Sequence, residues 1–134
     1  MDKMFAAAIS LTLLTSACGN PTPPASPTPV APTITETFNG TLTVSGNNSH
    51  PFTVQQAGGI KVTLISVDPG AAVGIGIGTS ASGVCTVITS VNAVSGKTVQ
   101  VSGTATVAGS FCASVFDIGN LVEPVAYSIT VLHS

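Results

Sequence analysis

A chain of 134 residues has room for one domain of about a hundred residues once a processed or unstructured front end is set aside. Three basic residues (Lys3, Lys61 and Lys97) against five acidic ones leave no basic surface for phosphates, which argues against nucleic acid as a partner. Charged residues are 6% of the chain, against about 25% in ordinary soluble domains, yet no apolar run is long enough to cross a bilayer. The apolar residues instead alternate with Ser, Thr and Gly, the pattern of short strands whose outward faces are polar but uncharged.

Met1-Asp2-Lys3 gives a weakly positive start, and Met4 to Leu14 an apolar stretch of eleven residues. A spanning helix needs about 20, so the stretch reads as the core of an export signal. Thr15-Ser16-Ala17 then offers small residues to an export peptidase, with Cys18 directly after. This arrangement resembles a bacterial lipoprotein signal peptide, with Thr15 where the lipobox usually has Leu. The resemblance implies that residues 1–17 are removed and that Cys18 carries a diacylglyceryl thioether and an acylated amine. Several acyl chains hold a protein in a membrane where one binds only marginally. Gly19, rather than Asp, after the cysteine implies an outer-membrane address by the sorting rule of enteric bacteria. An ordinary secretory signal cut before Cys18 is the other reading, because Thr15 and Ala17 also satisfy the small-x-small rule. Cysteine arithmetic favours lipid. Three cysteines in an exported chain leave an odd thiol, whereas lipidation of Cys18 leaves Cys85 and Cys112 as a pair.

From Gly19 to Pro32, six of the nine prolines (Pro21, Pro23, Pro24, Pro27, Pro29 and Pro32) lie among Thr, Ser and Ala. That density forbids helix and ladder and favours polyproline II at about 3.1 Å per residue, a spacer on the order of 40 Å. A ligand for a proline-recognition module has a similar composition, but a membrane-tethered export suits a spacer better. Residues 18–34 are therefore assigned to the lipidated cysteine and linker, and residues 35–134 to the folded domain.

Within that domain the pattern has period two, broken by Gly, Asn, Asp and Pro, and it predicts eight strands. The first runs from Thr35 to Ser45 with Phe38, Leu42 and Val44 on one face. Gly46-Asn47-Asn48 turns into a short second strand with Phe52 and Val54. Gly58-Gly59 opens a third carrying Ile60, Val62 and Leu64, which Asp68-Pro69-Gly70 closes. Val73, Ile75 and Ile77 mark the fourth, Val84 to Val91 the fifth, Thr98 to Ser102 the sixth, Ser110 to Phe116 the seventh and Val125 to Leu132 the last. Spacing of about 8 to 14 residues with turn signals between argues for an all-β antiparallel sandwich, and no segment has a helical period with an N-cap.

Phe38-x-Gly40-x-Leu42, Phe52-x-Val54, Gly59-Ile60-Lys61-Val62-Thr63-Leu64, Gly109-Ser110-Phe111-Cys112-Ala113-Ser114-Val115 and Tyr127-x-Ile129-x-Val131 together resemble the bacterial pre-peptidase C-terminal domain over residues 36 to 133. Cys112 stands where that family commonly has an aromatic. The resemblance implies a jelly-roll-like β-sandwich, often attached to secreted peptidases and in some members used to bind substrate polymers.

Cys85 and Cys112 fall in the fifth and seventh strands of an exported chain, where a disulfide is expected to form; two separately buried thiols are the alternative. Gly74-Ile75-Gly76-Ile77-Gly78 lacks the Gly-x-Gly-x-x-Gly spacing and a following helix, so it is no phosphate loop. Its alternating glycines leave one strand face bare for a neighbouring loop, ring or ligand, with packing inside the protein as the expected occupant. Asp117, Asn120 and Glu123 offer oxygen ligands that a Ca²⁺ ion accepts, as some relatives of the resembled domain do. Asp and Asn in such turns more often cap their own backbone. His50 before Pro51 and His133 near the end have no Asp, Glu or Cys arrangement beside them in sequence and are expected to be solvated, forming neither a triad nor a zinc site. The serines lack a partnered base or a nucleophile elbow, and nothing points to a cofactor, so no enzymatic activity is expected.

Two functions follow. One is a membrane-anchored binding or adhesion module that recognises a protein or an extracellular polymer through a face or loops. With no Trp, and Phe38, Phe52, Phe111 and Tyr127 on core positions, Phe116 is the main aromatic expected at the surface. The other is a structural or assembly component of the envelope that contacts another envelope protein through a strand edge, since so few charges guard the strands.

Overall fold

The computed structural model describes residues 19–27 and 32–134. Residues 1–18, on which the export-signal and lipidation expectations fall, and residues 28–31 lie outside the described residues. Residues 19–27 are exposed and without regular structure, as their proline content dictates. The domain is built from eight strands: β1 (Ile34–Leu42), β2 (Asn47–Val54), β3 (Gly58–Asp68), β4 (Ala72–Ala81), β5 (Val84–Val94), β6 (Val99–Ala105), β7 (Gly109–Phe116) and β8 (Val125–His133), with no helix among the described residues. One boundary differs materially from expectation. The turn between β1 and β2 is tighter and earlier, closed by the Gly46 amide donating to the Thr43 carbonyl at 2.8 Å with Ser45 at φ 59°. β2 therefore begins at Asn47 and carries His50 inside a strand instead of a turn.

The strands form two antiparallel four-stranded sheets, β1-β8-β3-β6 and β2-β7-β4-β5, the strand order of a jelly roll. Alternation sends Leu42, Val62, Leu64, Val101, Ile129 and Val131 inward from the first sheet. Phe52, Val54, Val73, Ile75, Ile77, Ala113 and Val115 meet them from the second. Outward positions of the first sheet explain the low charge of the chain. Thr37, Thr130, Thr63 and Gln100 lie in register across its four strands, a hydroxyl and amide row that satisfies water without ionised groups and gains from cross-strand Thr contacts.

The outward face of the second sheet is different, because it is covered by the sheet's own edge strand. Gly74, Gly76 and Gly78 of β4 stand opposite Phe116, Ser114 and Cys112 of β7. Beyond β4, the register with β5 shifts between Ile77 and Gly78, so that Ile88 is an extra, bulged residue. A bulge bends and twists its strand. Two strands flanking a third in a flat sheet lie about 9.5 Å apart, yet the Cα atoms of Cys85 in β5 and Cys112 in β7 are 5.9 Å apart and joined by a disulfide. β5 has thus risen out of the sheet plane and lies over β4. A Cβ on Gly78 would overlap the Thr86 carbonyl, one on Gly76 would come 2.8 Å from a Val87 methyl, and one on Gly74 would run into the Phe116 ring. The bare face expected of the glycine repeat is therefore filled from inside the protein, and Phe116, expected to be exposed, is half-buried on it.

Gly78→Ala should cost about 2–3 kcal/mol, since its methyl meets backbone fixed by the neighbouring disulfide. Gly59→Ala, on a strand position with nothing within 4 Å, should be neutral; urea unfolding of the two variants checks the contrast. Reduction of the bridge, which closes a sequence separation of 27 residues, should remove about 3.5 kcal/mol in the chain-entropy picture.

Candidate functional site

The seam where edge strands β1 and β2 face each other collects the inward polar groups of the molecule. β2 presents Asn48, His50, Phe52 and Val54 inward, and β8 presents Tyr127, Ile129, Val131 and His133, each at period two. Tyr127 sits directly opposite Gly40 of β1, and its ring crosses that residue: a Cβ on Gly40 would be 2.5 Å from the hydroxyl. Only a glycine lets the phenol pass over β1 and reach β2. There the hydroxyl lies 2.7 Å from His50 Nε2 and 3.1 Å from Asn48 Nδ2, while Asn48 Nδ2 also donates to the Thr41 carbonyl at 2.8 Å. The His50 ring stacks on Phe38, centroids 4.9 Å apart, and meets Tyr127 edge-on. Burial lowers the His50 pKa below that of a free imidazole. Burial also raises that of the Tyr127 phenol, against the lowering effect of the Asn48 bond.

At the other end of the seam His133, 1% exposed, places Nε2 2.7 Å from Glu36 Oε1 and stacks on Phe52. The expectation that both histidines are solvated is therefore corrected. Each continues the inward face of its strand: His50 because β2 starts earlier than its turn residues suggest, and His133 because β8 runs one residue past Leu132. No two-stranded reading of either segment alone brings Glu36, 97 residues away in sequence, to His133.

Asp117 organises the β7–β8 loop. Its Oδ2 accepts the Ser45 amide at 2.7 Å; its Oδ1 accepts the amides of Gly119, Asn120 and Leu121 at 2.8, 3.1 and 3.3 Å. Its own amide donates to the Gly46 carbonyl, so one residue pins the β1–β2 turn to the long loop. These bonds, the Ser45 amide foremost, lower the Asp117 pKa although desolvation opposes them. The capping role weighed for Asp117 is what the loop uses, and among the described residues no group of three His, Cys, Asp or Glu side chains converges for a metal. Asn120 contributes its backbone amide to this cap, and Glu123 is not bonded to it.

The structure brings together Cys85 with Cys112, His50 with Tyr127, and His133 with Glu36; it assembles no Ser-His-carboxylate arrangement among the described residues. Shallow depressions beside Pro69 and Val122, and beside Ile65 and Lys97, lie away from the seam. Among the described residues, none of the large exposed apolar side chains is aromatic. They are aliphatic, with Val84 (64%), Val87, Ile88 (70%) and Val94 on β5. No protein-family model matches the chain, and no curated protein sequence is significantly similar to it.

Asp117→Asn keeps an acceptor for the Gly119–Leu121 amides but loses the Ser45 bond, whereas Asp117→Ala loses both. Amide exchange should therefore accelerate at Ser45 in both variants, and at Gly119 to Leu121 only in the alanine variant. Because the folded pKa is depressed, this cap is whole above the ordinary Asp value and is lost as pH falls through the lowered one. Loop protection should accordingly persist at pH values where exposed carboxylates have begun to protonate.

Proposed function

We propose that this protein is a lipoprotein of the bacterial cell envelope, anchored through acylated Cys18. In this reading its jelly-roll domain is a non-enzymatic binding module that engages another envelope protein through the edge of β5. The observation that carries the proposal is that edge. β5 is eleven residues long, Val-Cys-Thr-Val-Ile-Thr-Ser-Val-Asn-Ala-Val, with neither charge nor proline. Of the other three edges, β1 carries Glu36, β2 carries Pro51, which removes a ladder donor, and β6 is uncharged but only seven residues long. An unguarded edge with exposed Val84, Ile88 and Val94 is suited to strand addition, in which main-chain bonds give affinity and alternate side chains give specificity.

Several features support the remaining parts. Pairing of Cys85 with Cys112 leaves Cys18 as the one cysteine free for lipid. The strand order agrees with the sandwich that the pre-peptidase C-terminal resemblance implies, and Gly19 after the cysteine favours the outer membrane. Adhesion to an extracellular polymer is the less favoured reading, because stacking on sugar rings calls for an exposed aromatic and Phe116 is spent on Gly74.

Cys18→Ser should move the folded domain into the soluble fraction, and continued membrane association of that variant would refute the anchor. Ile88→Lys should abolish crosslinking to a partner in the native envelope without lowering the melting temperature, because Ile88 is 70% exposed. Thr37→Lys on the opposite sheet should leave the crosslink intact, and an equal loss in both variants would count against β5.

A further inference from the structure

One distribution of protons around His50 uses every hydrogen-bonding group at the β1–β2 seam. A carbonyl oxygen is an acceptor and nothing else, so the Asn48 atom 2.8 Å from the Thr41 oxygen is its amide nitrogen. That nitrogen has one hydrogen left, and it points at the Tyr127 hydroxyl, which therefore accepts. The phenol then has a single hydrogen to give, and His50 Nε2 is 2.7 Å away. With Nε2 bare, and His50 the neutral tautomer carrying its hydrogen on Nδ1, the phenol accepts from Asn48 and donates to His50, so every one of these groups is used; with the hydrogen on Nε2 the phenol would accept twice and its own hydrogen would have no partner among the described residues. A proton arriving at Nε2 would set N–H against O–H along a short contact. The hydroxyl would have to turn its hydrogen away from the only acceptor bonded to it among the described residues.

We propose that Asn48, Tyr127 and His50 form an acid-released latch: protonation of His50 at Nε2 breaks its bond to Tyr127 and frees the Asn47–His50 half of β2 from the opposite sheet. The groups facing His50 fit this assignment. β1 offers Phe38, β8 offers Tyr127, its own strand offers Asn48, and β7 places Ala113 opposite it. β7 contributes no titrating group, its one cysteine being in the disulfide. The other titratable side chains along the seam are Glu36 of β1 and His133 of β8, and they are bonded to each other. No carboxylate is bonded to His50 to hold a cation there.

The far half of β2 is held by a different set of contacts. His133 faces acceptors with both nitrogens, the Glu36 carboxylate from Nε2 and the Ser134 oxygen from Nδ1 at 3.2 Å. These bonds fix the ring on which Phe52 stacks, so this end of the strand is held by contacts that do not involve His50. One strand thus has an end that acid loosens and an end held by other contacts, which makes the opening local.

The burial that lowers the His50 pKa acts in the same direction. The unfolded chain takes up this proton first. The stability contributed by neutral His50 is complete above the free imidazole pKa of about 6.5 and is lost as pH falls through the lowered folded value.

The test is NMR of the full chain, with the histidine ring nitrogens and the backbone amides followed from about pH 7.5 to about pH 5, across the imidazole range. At neutral pH His50 should show hydrogen on Nδ1 and a bare Nε2. On acidification, exchange protection at Asn47 to His50, corrected for intrinsic rates, should fall by up to about tenfold per pH unit, with Phe52 to Val54 unchanged. Tyr127→Phe should move the His50 hydrogen to Nε2, and His50→Gln should abolish the acid response. A wild-type His50 carrying its hydrogen on Nε2 at neutral pH would overturn the latch, as would an undiminished acid response in His50→Gln. Should either variant fail to fold, the tautomer and the titration of the native chain decide the matter alone.

Discussion

The close passage of β5 over β4 is the constraint on which the rest of this jelly roll depends. It requires three glycines on one face of β4, an extra residue at Ile88 to lift the strand, and a disulfide that ties Cys85 to a strand two places away. These requirements are coupled. A side chain at Gly78 would push Thr86 outward and pull Cys85 away from Cys112, so the bridge and the bare strand face presuppose each other. The arrangement covers the outward face of the second sheet with its own chain, which is why Cys112 and Ser114 are buried although they point away from the core between the sheets. A domain with few large residues gains in this way a second, thin apolar layer, formed by Phe116 and Val87 over Gly74 and Gly76.

The two sides of the sandwich are finished by different chemistry. Where β1 faces β2, inward polar groups are paired across the seam, and no buried polar side-chain atom among the described residues lacks a partner. Such networks specify one arrangement because a half-satisfied version is costly. Tyr127 is the central member, since its hydroxyl carries the side-chain hydrogen bonds from β8 to β2, and it depends on the absence of a side chain at Gly40. Asp117 performs a comparable service at one end of the sandwich, joining two loops through backbone amides. Where β5 faces β6 the finish is bare backbone and aliphatic side chains.

The strands, their order along the chain and the disulfide were legible in sequence because each rests on a local or countable signal: period-two alternation, turn residues, and two cysteines left after one is assigned to lipid. The glycine repeat was legible as a bare face, but not what fills it. The filling strand comes from a one-residue bulge at Ile88, and nothing in Val-Ile-Thr distinguishes a bulge from a regular strand. The seam was missed for a related reason. Asn47-Asn48 reads as turn chemistry, yet Ser45 at positive φ closes the turn two residues earlier, which shifts His50 to an inward position. Given that register, the face Asn48-His50-Phe52-Val54 follows directly. Its partners Tyr127 and His133 do not, because setting β2 against β1 and β8 is a property of the sheet order and of no single segment.

The contrast between the two sides bears on how a domain with so little charge stays specific. Charges ordinarily guard edges and steer partners, and here they are nearly absent. On the β1–β2 side the guarding is done by Pro51, by Glu36 held to His133, and by a hydroxyl row on the adjoining face, devices that occupy backbone or side-chain bonds without a net field. On the β5 side the same economy of charge leaves the ladder groups of a long strand without a rival for their bonds. The bulge at Ile88 limits that openness by bending the Val84–Val87 part away over β4 and pinning it with the disulfide. What stays available is the straight run from Thr89 to Val94 with the Ile88 side chain at its start. A partner strand would therefore meet a short uncharged edge marked by one protruding isoleucine, and selectivity would come from shape and register instead of electrostatic attraction.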